Sequence, residues 1–279
     1  MSVRDILALT TSLEADASVL ACAQRLARTH DAFLTSLLVH WIPAMSAVVE
    51  GWIVDARWGE LVEEARGTME RDRLVLEKQM TGAVDRSAAL ARMIEPGAAQ
   101  SVAGLFARHV DMTIVSRPHK TLAEARTGLL EGALFGSGRP VLVVPPGWKD
   151  QPVGETVLLG WNAEREAARA LADAMPMLDP KAKIVVATVD AKPSYEGHGD
   201  LPGADISTHL SRHGFGVELR NIDSMGSPDS RALLEAAASV GADLIVMGGY
   251  GRSRLSEMVF GGVTRDVLLR SQIPVLMSH

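Results

Sequence analysis

Met247-Gly248-Gly249-Tyr250-Gly251-Arg252-Ser253-Arg254-Leu255 continues through Phe260-Gly261-Gly262-Val263-Thr264, joining an apolar strand-like run to a helical pattern. Gly248 and Gly251 lack a Cβ, so the backbone there can turn tightly and approach a ligand closely. Gly261 and Gly262 open the helix of Thr264–Arg270, where unpaired N–H groups and the helix dipole favour an anion. A loop and a helix start that converge in this way can cradle a phosphate chain. Arg252, Arg254 and Arg265 are near enough in sequence to add charge-assisted contacts. A single glycine would read as a turn; these four together predict a phosphate site. A strand, a glycine loop and a helix in this order form the unit of an open parallel sheet, which binds ligands beyond its strands' carboxyl ends.

Outward from that unit the chain repeats itself. Asp243-Leu244-Ile245-Val246-Met247 has a counterpart in Asp111-Met112-Thr113-Ile114-Val115, and Pro274-Val275-Leu276 in Pro140-Val141-Leu142. Val157-Leu158-Leu159-Gly160, with its polar turn and helix, matches Ile6-Leu7-Ala8-Leu9 and the helix Ala15–Ala27. The spacing between matches shrinks toward the domain ends, so the first half carries an insertion, read as Trp41 to Glu60 with Trp52 and Trp58. The Pro/Gly-rich stretch Pro145–Pro152 reads as a linker, giving domains 1–146 and 153–279. In the second half the pattern predicts strands 156–161, 183–190, 216–222, 243–248 and 273–278. Helices are predicted at 164–178, 205–213, 229–241 and 262–271. Strands that are near-continuous apolar runs imply a sheet covered on both faces.

The 279 residues suit two domains of ordinary size, and 47% hydrophobic with 22% charged residues is the composition of a packed globule. A net charge of −6 argues against a broad nucleic-acid surface. No apolar run approaches the roughly 18 residues of a membrane helix, and the first residues lack a secretory layout. The one cysteine, Cys22, excludes an internal disulfide and reads as a buried hydrophobe in a helix. A reducing cytoplasm is the expected location.

The glycine segment resembles the nucleotide loop of the universal stress protein family, whose pattern is glycine, two residues, glycine, nine residues, glycine, then Ser or Thr. Gly248, Gly251 and Gly261 match that spacing, and Gly262 stands where the family has its hydroxyl residue. The resemblance covers nearly all of the chain, since both halves share the β-α order and end in a Pro-Val-Leu strand. It implies an α/β fold of two tandem open parallel-sheet domains, adenine nucleotide α-hydrolase-like, with helices on both faces. It implies ATP or a related adenine nucleotide, with Mg, in the C-terminal domain, held by Gly248, Gly251, Arg252, Gly261, Gly262, Val263 and Thr264. The family's acidic residue after the first strand is replaced by Asn162, which hydrogen-bonds without charge. Ala187 and Val189 match positions lining the adenine pocket and read equally well as strand core. Pairing of Pro140–Val144 with Pro274–Met277 is implied as well, making an intramolecular pseudo-dimer; a homodimer and an unknown protein partner stay open.

The first half has Val115-Ser116-Arg117-Pro118-His119-Lys120 at the equivalent place. Both early loop glycines are gone, and Pro118 removes a backbone donor. Only Gly128 remains, read as the start of the helix. Thr10 and Thr11 follow the first strand, so this half is not expected to hold ATP in the family manner. No nucleophile elbow, Walker lysine or identifiable metal triad is present, and at most weak hydrolysis is expected. Three functions stay open: a nucleotide-binding stress-response regulator, a slow ATPase or nucleotidyl-transfer enzyme, and a nucleotide-free scaffold.

Overall fold

The structure, a computed structural model, describes residues 2–43, 54–95, 97–117, 123–194, 199–249 and 262–279. The chain divides into two compact units, Arg4–Ser137 and Gly138–His279 with Met1–Val3.

In the first unit the chain runs β1 (Asp5–Thr10), α1 (Ala17–His30), β2 (Phe33–Trp41), α2 (Val54–Thr81), β3 (Ser87–Ile94), α3 (Ala99–Ala107), β4 (Met112–Ser116) and α4 (Ala123–Gly136). The strand order is β3-β2-β1-β4, all parallel. Ile6, Leu34, Leu37 and Ile114 are fully buried, as expected of strands covered on both faces. Cys22 is buried within α1. The charged run on α2 forms ion pairs along one face, Arg73 with Glu70 at 2.8 Å and with Glu77 at 3.0 Å.

The second unit contains β5 (Val141–Val144), β6 (Thr156–Gly160), α5 (Arg165–Ala174), β7 (Lys183–Val189), α6 (Ala204–Arg212), β8 (Gly216–Ile222), α7 (Asp229–Ser239), β9 (Leu244–Gly248), α8 (Gly262–Arg270) and β10 (Val275–Ser278). Its order is β5-β10-β9-β6-β7-β8. All neighbours are parallel except β5, which runs antiparallel to β10 with Val275 opposite Val143 and Met277 opposite Val141. The repeat assigns β5 to the first domain, yet its packing groups it with the second unit. α5 ends earlier than the expected 178 because Pro176 cannot continue it, and Met175–Met177 tightens into a 3-10 turn.

The repeated aspartates have a shared structural task. Asp243 accepts backbone N–H bonds from Gly154 at 2.6 Å and Thr156 at 2.9 Å, tying the start of β6 to that of β9. Asp111 does the same for Arg4 at 2.7 Å and Asp5 at 3.0 Å beside β1. These N–H groups precede or open a strand, where no ladder partner is available, so a carboxylate supplies the acceptor.

Candidate functional site

The site follows from where the chain reverses its direction of travel. β6 leads through α5 to β7 on one side, and β9 leads through α8 to β10 on the other. The two connections diverge and leave a crevice at the carboxyl ends of β6 and β9. Gly160 lies opposite Met247 in the register, so the turn at Trp161 begins beside Gly248, the last residue of β9. Because β9 and β10 are parallel, α8 must run back against them, which brings its N-terminus to the same edge. The turn after β6, the end of β9 and the start of α8 therefore meet on one edge of one sheet.

The turn after β6 is tightly organised. Trp161 N–H donates to the Ala187 carbonyl at 2.9 Å, extending the β6–β7 ladder by one bond. Asn162 Oδ1 accepts from Glu164 N–H at 3.2 Å, an Asx-type turn that leads into α5. Between them Ala163 has φ 57°, a left-handed conformation uncommon for alanine. The amide oxygen of Asn162 thus serves its own helix, which leaves the amide nitrogen as the donor that side chain can offer a ligand.

At the end of β9 the reason for glycine is α5. A Cβ on Gly248 would lie 2.7 Å from the Ala167 nitrogen and 2.8 Å from the Glu166 carbonyl carbon, both backbone atoms. Gly249 is held on both of its polar groups: its N–H donates to the Ser278 carbonyl at 2.8 Å, and its carbonyl lies 3.0 Å from His279 Nδ1. Glu166 is buried beside this corner. Burial alone would raise its carboxyl, but the hydrogen bond from Arg165 Nε at 2.7 Å and the field of His279 carry it below the ordinary range. The first turn of α8 has Gly262 exposed, Val263 half-buried and Thr264 buried. Among the described residues a Cβ on Gly262 would meet nothing within 4 Å. Ala187 is buried opposite Gly160, as strand core, while Val189 is half-buried at the carboxyl end of β7. Gly251, Arg252, Arg254 and Gly261 lie outside the described residues.

The corresponding edge of the first unit is built differently. Thr11 directs its N–H (2.7 Å) and its hydroxyl (3.1 Å) to Asp16 Oδ2, so the polar groups after β1 serve the turn into α1. His40, at the end of β2, sits 3.4 Å from Asp72 on α2. Pro118, His119 and Lys120 lie outside the described residues. Gly128, expected at the start of a helix, is instead inside α4, which begins at Ala123. Its role is packing: a Cβ there would meet the Ala99 Cβ of α3 at 3.0 Å. Gly104 and Gly136 continue the same close approach, their backbones being too near for side chains.

That helix pair also buries Glu131, which accepts from Gln100 Nε2 at 2.5 Å. Desolvation raises the Glu131 carboxyl, and the Gln100 bond offsets only part of the effect. A raised folded value means the native state keeps this proton to higher pH than the unfolded chain does. Its contribution is therefore most favourable at or below the ordinary carboxylate range and is lost as pH rises through the raised value. Glu131→Gln should flatten that slope, so the stability of wild type relative to the variant should grow as pH falls through this window. Urea melts at a series of pH values measure it.

The family-model match bears on the same half of the chain. Residues 155–279 match the model of the universal stress protein family. A universal stress protein of Methanocaldococcus jannaschii is 34% identical over 62 residues, covering 22% of this chain and 38% of that protein. The chain thus spans little more than a third of that relative's length. A universal stress protein of Mycobacterium tuberculosis is 26% identical over 141 residues, 45% of this chain and 96% of that protein. A universal stress protein structure from Archaeoglobus fulgidus superposes with a TM-score of 0.68 at 15% identity, covering 98% of this chain and 95% of that one. At that identity the likeness shows the fold, and it extends over both halves.

Proposed function

Since residues 155–279 match the model of the universal stress protein family, we propose that they form a domain of that family, which binds ATP or a related adenine nucleotide and signals by its occupancy. The observation that carries the reading is the crevice at the carboxyl ends of β6 and β9, which receives the start of the Gly248-x2-Gly251-x9-Gly261 loop and the N-terminus of α8. Backbone N–H groups at a helix start and a glycine loop recognise phosphate by geometry, without a catalytic base. In this reading Gly248, Gly251, Gly261, Gly262, Val263 and Thr264 frame the phosphates, with Arg252 adding charge. Asn162 reaches the nucleotide through its amide nitrogen, and Val189 flanks the base. Mg would accompany a triphosphate, bound by the phosphate oxygens. The regulatory role rests on this site: a ligand bound at the loop changes the surface offered to a partner protein. The pairing of β5 with β10 supports an intramolecular pseudo-dimer of the two repeats. Among the described residues no helix is long and apolar enough to cross a membrane.

One observation favours a nucleotide-free scaffold instead: Asn162 spends its amide oxygen on α5, and Gly262 lacks the hydroxyl. The two readings separate by mass spectrometry of nucleotide released from gently purified, denatured protein. The nucleotide reading expects near-stoichiometric ATP or ADP, lost in Gly251→Ala. Gly262→Ser should then tighten binding several-fold, since one added hydrogen bond contributes about 1 kcal/mol and no described residue lies within 4 Å of the new side chain's Cβ. No released nucleotide, together with no thermal shift on adding ATP, would leave the scaffold.

A further inference from the structure

Among the described residues β8 ends the strand order of its unit, paired with β7 on one side only. None of its residues is fully buried. An open edge offers a row of backbone donors and acceptors to another strand. The sequence of β8, Gly216-Val217-Glu218-Leu219-Arg220-Asn221-Ile222, is complementary to itself when reversed about Leu219. A two-fold axis at Leu219 sets Glu218 opposite Arg220 of a second copy, and Arg220 opposite that copy's Glu218. Val217 then faces Asn221, and Leu219 faces Leu219. Opposite charges directly across an antiparallel pair stabilise it, and the two-fold makes each such contact twice.

A second feature lies on the same face. Arg220 and Ile222 share a groove of about 330 Å³ with Ala232, Glu235, Ala236 and Ser239 of α7. Its floor is partly apolar, and it lies alongside the open edge. Arg220 is held in place there, donating to Glu218 at 2.6 Å and to Ser239 Oγ at 3.0 Å. Lys183 binds the other oxygen of Glu218 at 2.6 Å. The charges are thus presented in fixed positions along the edge, about one third exposed, with side-chain values of 36% for Arg220 and 34% for Glu218.

We propose that β8 is a homotypic interface: two copies of this chain join antiparallel through their β8 edges, with the Glu218–Arg220 pairs crossing the two-fold and the α7 groove covered by the second copy. The occupant is a second copy because the edge complements its own reverse.

Charge reversal in the full-length chain tests this. Glu218→Arg makes positions 218 and 220 both positive, and Arg220→Glu makes them both negative, so each variant repels itself. Each should lose self-association by on the order of tenfold or more, since like charges in register cost several kcal/mol. Mixed in equal amounts, the two restore opposite charges at every crossing and should form a heterodimer. A folding defect would not reproduce that recovery. Sedimentation velocity of wild type, each variant and the mixture reads all three states. A wild type that stays monomeric at every concentration would overturn the proposal, showing the charges to be edge protection only. So would a dimer indifferent to either reversal, or a mixture of folded variants that stays monomeric. Should a reversed chain fail to fold, Leu219→Cys provides the second measurement. Two cysteines on the axis lie at cross-strand distance and, with an added thiol oxidant such as diamide to take up the two electrons, should form a covalent dimer, while Cys22 is buried; a chain that stays uncrosslinked under that oxidant rejects the interface.

Discussion

Gly132→Ala should destabilise the first unit by about 3 kcal/mol, against the usual trend for a glycine inside a helix. Alanine at a free helical position gains roughly 1 kcal/mol over glycine. Gly132 is not free. Its Cβ would fall 2.7 Å from both the Cα and the carbonyl carbon of Gln100, and closer still to that residue's carbonyl oxygen. These are backbone atoms of α3, so no side-chain rotation relieves the contact, and the two helices must move apart. Separation would also open the neighbouring contacts at Gly104, Gly128 and Gly136 and weaken the Gln100–Glu131 hydrogen bond. Gly67→Ala in α2 is the matched control. Its nearest atom is the flexible Arg71 Nη1 at 3.5 Å, so it should be neutral or slightly stabilising. Urea melts of the two variants should shift in opposite directions, and a gain in Gly132→Ala would contradict the close helix approach.

Gly248→Ala is expected to cost the second unit about as much, on the order of 3 kcal/mol. The obstacle is the first turn of α5, at Glu166 and Ala167, whose backbone is set by the turn through Asn162 and Ala163. Relaxation would require shifting α5 off β9, the strand against which it packs most extensively. This separates two glycines that the motif treats alike. Gly248→Ala should lower stability with or without ligand, whereas Gly251→Ala should act on nucleotide recovery. Thermal melts of both variants, with and without ATP, distinguish packing from binding. Equal, ligand-independent losses in both would place Gly251 among the packing glycines too.

The elements of the second half were legible because their signals are local. The predicted strand 216–222 coincides with β8, and predicted helix 262–271 differs from α8 by one residue at its end. Apolar runs that must be covered on both faces, broken by Gly, Pro and Asn, leave few alternatives to an alternating α/β chain. The insertion after β2 was located less sharply. α2 begins at Val54, inside the stretch read as insertion, and Trp58 donates to the Pro43 carbonyl at 3.2 Å. A charged amphipathic pattern marks a helix's middle better than its first turn.

At the candidate site the structure adds contacts that the spacing of residues does not carry. Gly248 makes room for α5. The side-chain oxygen of Asn162 turns to the backbone of Glu164. Gly128 was read as a helix start, and it sits inside α4 against Ala99. In each case the deciding partner is another element, or a backbone group whose position depends on the turn. Such proximity has no periodicity to reveal it.

The sequence by itself determined the repeat, the alternating elements, the family resemblance and the glycine spacing at the end of β9. These rest on covalent neighbours and on hydrophobic periods of two and of three to four residues, which any chain carries in one dimension. Only the tertiary structure decided that β6 and β9 adjoin and that glycines bind α3 to α4. It alone placed β8 at the end of its unit's described strand order, with Glu218 and Arg220 about one third exposed. Those outcomes depend on which strand lies beside which and how closely two backbones approach, and both are set by the packing of the whole core.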